Sequence, residues 1–226
     1  MDIHEKPKLL SRIRGSISHV TAHRKAVIEF AKQHDLVYFN SVGSRDEVPV
    51  IRGSTAMPKY IDNSYSIGTH AGYDMALVDR TNVVAYEGYA SSKHRWYVIQ
   101  IDLHTSEHLP YIFIGTRQQT KAYYARVLVS HRETGYISPD MIAPGNAQFH
   151  SRYAIVASPS GMPAIHRLLD GDIVQSIAAH HHPFAIEIEG NSMSVITEAT
   201  APNQQLLNKL LHYGLWFAKE LDKRLL

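Results

Sequence analysis

The sequence predicts an α+β fold, with an antiparallel, meander-type sheet packed by an N-terminal helix, a helix pair and a C-terminal helix. Three observations lead there. Apolar residues recur every three or four positions at both ends of the 226-residue chain, the pattern of an amphipathic helix. Between residues 36 and 157 the chain runs instead in short Val-, Ile- and Tyr-rich stretches bounded by Gly, Pro, Asn and Asp, and twelve of its thirteen tyrosines lie between Tyr38 and Tyr153. The links between these stretches are shorter than the roughly dozen residues that a parallel crossover needs.

From Pro7 to about His34, Leu10, Ile13, Ile17, Val20, Val27 and Ala31 fall on one stripe, with Arg24 in the one missing place. Pro7 suits a first helical turn. Gly15 costs about 1 kcal/mol there relative to Ala, so a break into two helices, the second capped by Thr21, is the alternative. Expected strands are Leu36 to Asn40, Tyr73 to Asp79, Val83 to Tyr89, Arg95 to His104, Tyr111 to Thr116, Tyr123 to His131 and Phe149 to Ala157, with Arg80-Thr81-Asn82 as a hairpin turn. The stretch from Ser41 to Gly72 is rich in Gly, Ser, Asn and Pro and reads as loop with one or two edge strands. Ser158 and Pro159 then open a helix through Ile165, Leu168 and Leu169, and Asp170 or Asp172 starts another through Ile173, Val174 and Ile177. A hairpin follows, Phe184 to Glu189 and Met193 to Thr197 around Gly190-Asn191. The last helix, from about Pro202 to Arg224, buries Leu206, Leu207, Leu210, Leu211, Leu215, Phe217 and Leu221. The organisation expected is an amphipathic segment over residues 1–34 packed on a single α+β domain over 35–226.

Composition excludes several classes. With no cysteine, the chain has no disulfide framework, no thiolate metal site and no cysteine nucleophile. No stretch approaches the ~18 apolar residues of a spanning helix, and MDIHEKPKLLSRIRG is charged where a secretory signal is apolar, so a cytoplasmic, soluble chain is expected. Charge is uneven: residues 1–25 carry six basic and two acidic side chains, 26–159 carry twelve of each, and 160–226 carry five and seven. A basic terminus on a balanced body argues against an extended nucleic-acid face and points to docking of residues 1–25 on a protein partner, on a second copy or at an anionic membrane surface.

Several segments together resemble a widespread, functionally uncharacterised family of bacterial proteins of actinobacterial type, often preceded by a membrane anchor. They are Glu29-Phe-Ala-Lys-Gln-His-Asp-Leu-Val-Tyr38, the Gly-rich loop after it, the long strand from Val98 closing on Leu109-Pro110, Phe149-His150-Ser151-Arg152-Tyr153-Ala154-Ile155, the helix pair, and the hairpin Phe184 to Ile196. The similarity spans about residues 27–200. His150 stands where the family has Asn, and no spanning segment precedes residue 27. The resemblance implies one α+β domain working beside a membrane, with no established catalytic residue.

Fifteen histidines supply the candidates for chemistry. His19-Val-Thr-Ala-His23 sets two imidazoles one helical turn apart, without the Glu of the H-E-x-x-H hydrolase motif. His104-Thr-Ser-Glu-His108 has the same spacing with Glu107 inside it. His180-His181-His182 before Pro183 could supply two ligands, with His166 or His150 as a third, yet the same three residues suit a helix C-terminus. These give His104, His108, His180, His181 and His182 as the candidate ligands of a divalent metal, although no cofactor is the primary expectation. No G-x-S-x-G, P-loop or dinucleotide-binding motif occurs; Ser158-Pro-Ser-Gly161 reads as a cap. Arg152 and His150 read either as lining a ligand groove or, for Arg152, as pairing with a strand carboxylate such as Asp79 or Asp102. The function expected is that of a non-catalytic binding domain, acting at a membrane surface or in a protein complex through Leu10, Ile13, Ile17 and Val20. A His-based metal-dependent hydrolase is the alternative.

Overall fold

The computed structural model describes residues 22–40, 60–86, 89–117, 131, 133–179, 184–199 and 202–225, with the backbone alone for 60, 82–86 and 89–93. Helix α1 spans residues 22–33. After it come β1 (Val37–Asn40), β2 (Tyr60–His70), β3 (Tyr73–Tyr86), β4 (Tyr89–Asp102), β5 (Leu109–Thr116) and β6 (Gly135–Ile137). The short helices α2 (Pro139–Ile142) and α3 (Ala147–Arg152) lead into β7 (Tyr153–Ala157), and a 3-10 turn over Pro159–Gly161 leads into α4 (Met162–Leu168). Helix α5 (Gly171–Ala179), the hairpin β8 (Ala185–Gly190) and β9 (Ser192–Glu198), and α6 (Gln204–Leu225) complete the chain.

All pairings among the nine strands are antiparallel, in the order β1-β2-β3-β4-β9-β8-β5-β7-β6. The first four strands form a meander. The hairpin β8–β9 is then inserted between β4 and β5, so it joins the two halves of the sheet.

Pleat alternation assigns the two faces. One face carries a row in register across seven strands, Leu77, Ile99, Val195, Ile186, Ile114, Ile155 and Ile137. It lies in the main core with residues of all six described α-helices, among them Val27, Phe30, Phe149, Leu168, Ile177 and Phe217. The other face carries a second buried cluster that includes Tyr65, Val78, Trp96, Val98, Phe113 and Ile196, to which, among the described residues, no helix residue belongs.

Several elements differ from expectation. Arg80-Thr81-Asn82 is no turn, because β3 continues through it with Arg80 opposite both Asp62 and Trp96. Residues 60–70, in a stretch expected as loop with one or two edge strands, form a full strand between β1 and β3, closed on β3 by a turn whose Ala71 and Gly72 both have positive φ, 52° and 87°. The stretch expected as strand from Phe149 begins as helix α3, since the Asn146 side chain accepts from Phe149 N at 3.0 Å and caps it. Strand β6 and helix α2 are additional to the elements that the sequence predicts. The expected strand over 123–130 and the helical stretch before residue 22 lie outside the described residues. Among the described residues no helix is long and apolar enough to cross a membrane.

Candidate functional site

His104 follows the end of β4 and is held on three sides. Its ring stacks on Tyr73, with centroids 4.4 Å apart and planes 14° apart. Nδ1 lies 3.1 Å from Asp222 Oδ2 and Nε2 lies 3.0 Å from the Gly72 carbonyl oxygen. Asp222 accepts from the His104 backbone N–H at 3.0 Å and from the Tyr73 hydroxyl at 2.7 Å. Burial, then the bond to Asp222, raises the Tyr73 phenol well above its ordinary range, so it stays a donor. This cluster ties the C-terminal end of α6 to the β2–β3 turn and to the end of β4. Asp222 is not among the residues that the sequence analysis picks out, although it falls on the α6 stripe seven residues after Leu215 and four after Ala218. A carboxylate at a stripe position is the signal that it needs a partner inside.

His108 is placed differently, with its ring against Gly190 and on the wall of an open groove of about 590 Å³. The groove lies between the β4–β5 connection, residues 131, 133 and 134, and the Ser158–Ala164 stretch that opens α4. Ser158 and Ser160 share a hydrogen bond of 2.8 Å on its rim. His131 stacks on Tyr111 at 3.6 Å between centroids, and burial lowers its basicity against the opposing pull of Glu189, whose carboxylate is 4.0 Å away. Glu107, which sits inside the His104–His108 spacing, is paired with Arg167. Residues 104–108 form no helix, and the two histidines meet different partners.

His150 Nε2 lies 2.8 Å from the Ala143 carbonyl oxygen, and its Nδ1 is 3.4 Å from Asp140, so it links α3 to α2. Arg152 ends α3 and its Nη1 donates to the carbonyl oxygen of Ala178, in the last turn of α5. Of the two strand carboxylates expected as partners of Arg152, Asp79 is taken by Arg95, through Nε at 2.7 Å and Nη2, and Asp102 is exposed. Two of the buried strand carboxylates do have arginine partners, Arg95 for Asp79 and Arg80 for Asp62, neither of them among the candidate residues the sequence picks out. His23, whose ring bonds the Tyr97 hydroxyl, lies at 4% exposure in the core. Among the described residues no group of three or more His, Asp or Glu is arranged to hold a metal ion. His180, His181 and His182, and likewise Leu10, Ile13, Ile17 and Val20, lie outside the described residues.

No family model matches this chain, and no curated protein matches it. Among solved structures it is similar to the crystal structure of the mycobacterial trehalose monomycolate transport factor A, at 12% sequence identity and a TM-score of 0.58. That likeness covers 89% of this chain and 93% of the transport factor, so the α+β architecture is shared over nearly the whole of both. The neighbour is actinobacterial, as is the family that the sequence resembles.

Proposed function

We propose that this chain is a non-catalytic binding domain of actinobacterial type that works beside a membrane, on the cytoplasmic face, within a transport complex. The observation that supports the reading most is the likeness in fold, over nearly the full length of both chains, to a protein named a transport factor. A second support is how the polar candidates are used: His104, His150 and Arg152 are engaged with backbone carbonyls of neighbouring elements, which is work of positioning rather than of chemistry. The docking element in this reading is the basic, amphipathic stretch before α1. Its apolar stripe of Leu10, Ile13, Ile17 and Val20 would enter the headgroup region while its basic residues meet anionic lipid.

Flotation of the full chain with phosphatidylglycerol vesicles tests this. The wild-type chain is expected to float, less so at high salt, and the double variant Ile13→Asp, Ile17→Asp to lose about tenfold or more of the binding with its circular dichroism spectrum kept. A wild-type chain that stays with the pellet, or a variant that floats equally well, overturns the reading. So does global unfolding of the variant, which would make those residues core.

A further inference from the structure

Beside the β4–β5 connection, the groove of about 590 Å³ falls within the ~300–1,000 Å³ range of small-molecule sites. Its lining is of two kinds. Pro110, Pro163 and Ala164 contribute apolar surface, while His108, Glu133 and the paired hydroxyls of Ser158 and Ser160 contribute groups that donate and accept hydrogen bonds. No Lys or Arg is among the described lining residues. Glu107 is already paired with Arg167, which leaves Glu133 as a carboxylate on the wall. Among the described lining residues, a phosphate or carboxylate placed here would meet that carboxylate and no lysine or arginine. A ligand that suits the lining carries many hydroxyls that both donate and accept, offers C–H faces to proline and alanine, and is uncharged.

We infer that this groove is a binding site for a neutral carbohydrate, held by the Ser158–Ser160 pair, His108 and Glu133 over the apolar surface of Pro110 and Pro163. The site is shallow and open, so its selectivity rests on hydrogen bonding by the hydroxyls and on rejection of anions rather than on enclosure. Burial lowers the basicity of His131, which also lines the groove, and so disfavours a cation there.

Saturation-transfer NMR and calorimetry on the full chain, with maltose, glucose, glucose 6-phosphate and spermidine as probes, test the assignment. Expected are binding of maltose and glucose, and binding of glucose 6-phosphate weaker than glucose by about tenfold or more. Ala164→Trp, which fills the groove, should abolish the sugar signal. The double variant Ser158→Ala, Ser160→Ala should weaken it by about tenfold, and carries the test should the tryptophan variant lower the melting temperature. No sugar signal at about 50 mM, glucose 6-phosphate equal to or tighter than glucose, binding of spermidine alone, or sugar binding that survives both variants would each overturn it. None of these outcomes involves residues 1–25, so failure here is distinguishable from failure of the docking reading.

Discussion

Asp62 and Arg80 stand opposite each other on β2 and β3 with side chains only 5% and 2% exposed, joined through Nε at 2.7 Å and Nη2 at 2.9 Å. The Tyr65 hydroxyl adds a third bond to the same carboxylate. Two charges at that depth are tolerable only as a pair, because each alone would face the full cost of desolvation. Arg80→Met should therefore destabilise the fold by about 3–5 kcal/mol, read from the midpoint of urea unfolding, by leaving Asp62 buried and unmatched. Adding Asp62→Leu to that variant should recover most of the loss. A single variant within about 1 kcal/mol of wild type would show that water reaches Asp62. The same residues explain why the sequence misread this region. Arg-Thr-Asn has the composition of a turn, and nothing local tells that a carboxylate eighteen positions earlier will hold Arg80 in mid-strand. The candidate site was legible only in part for a related reason. His104 and His108 stand out by spacing, whereas the partners that decide their roles, Asp222 and Gly72 for one and Gly190 for the other, are remote in sequence.

Elements were most legible where their stabilisation is local. The C-terminal helix announces itself by its stripe, and its buried residues include the expected Leu207, Leu210, Leu211, Leu215, Phe217 and Leu221. Gly214 lets that helix lie close on the sheet, since a Cβ there would stand 3.0 Å from Ile101 Cδ1 and 3.4 Å from Val195 Cγ2. The β8–β9 hairpin is read from its Gly190-Asn191 turn. The β2–β3 hairpin is not, because its turn is built on Ala71-Gly72 and only the second residue is one that favours positive φ. Ala71 at φ 52° bears the steric cost of the left-handed region, about 1–2 kcal/mol. Ala71→Asn keeps the turn with a residue that tolerates it, and should raise stability by about 0.5–1 kcal/mol, seen as a higher melting temperature. The stacked rings of Tyr73 and His104, which meet the turn at the Gly72 carbonyl, should be unmoved. A fall in melting temperature would mean that the turn does not hold that conformation in solution.

The sheet as a whole depends on its inserted hairpin. Strand order beyond β4 does not follow from short links, because β9 returns to β4 across ninety-six positions of chain, as Ile99 opposite Val195 shows. Local hairpins follow from turn chemistry and alternation, but which strand fills the gap between two halves is decided by burial on both faces at once. Here Ile186 and Val195 point into the helix-covered core while Ala185 and Ile196 point into the second cluster, so the hairpin is buried on both sides. Its neighbours β4 and β5 share that condition, as Val98 and Ile99 or Ile112 and Phe113 show, each wholly buried. The edges are different. Strand β1 exposes Val37 at 59% and Phe39 at 45%, and β6 has three residues and a single described neighbour, β7. Opening an edge strand exposes little apolar surface, whereas withdrawing β8–β9 exposes both clusters and separates the two halves of the sheet, so the centre can open only through global unfolding. Native-state hydrogen exchange should thus find the slowest amides in β4, β9, β8 and β5, all near one common free energy, and faster exchange in β1 and β6. Fast exchange in β8 and β9 would instead mean that the hairpin opens on its own, with the meander and the β5–β7 half as separate cooperative units.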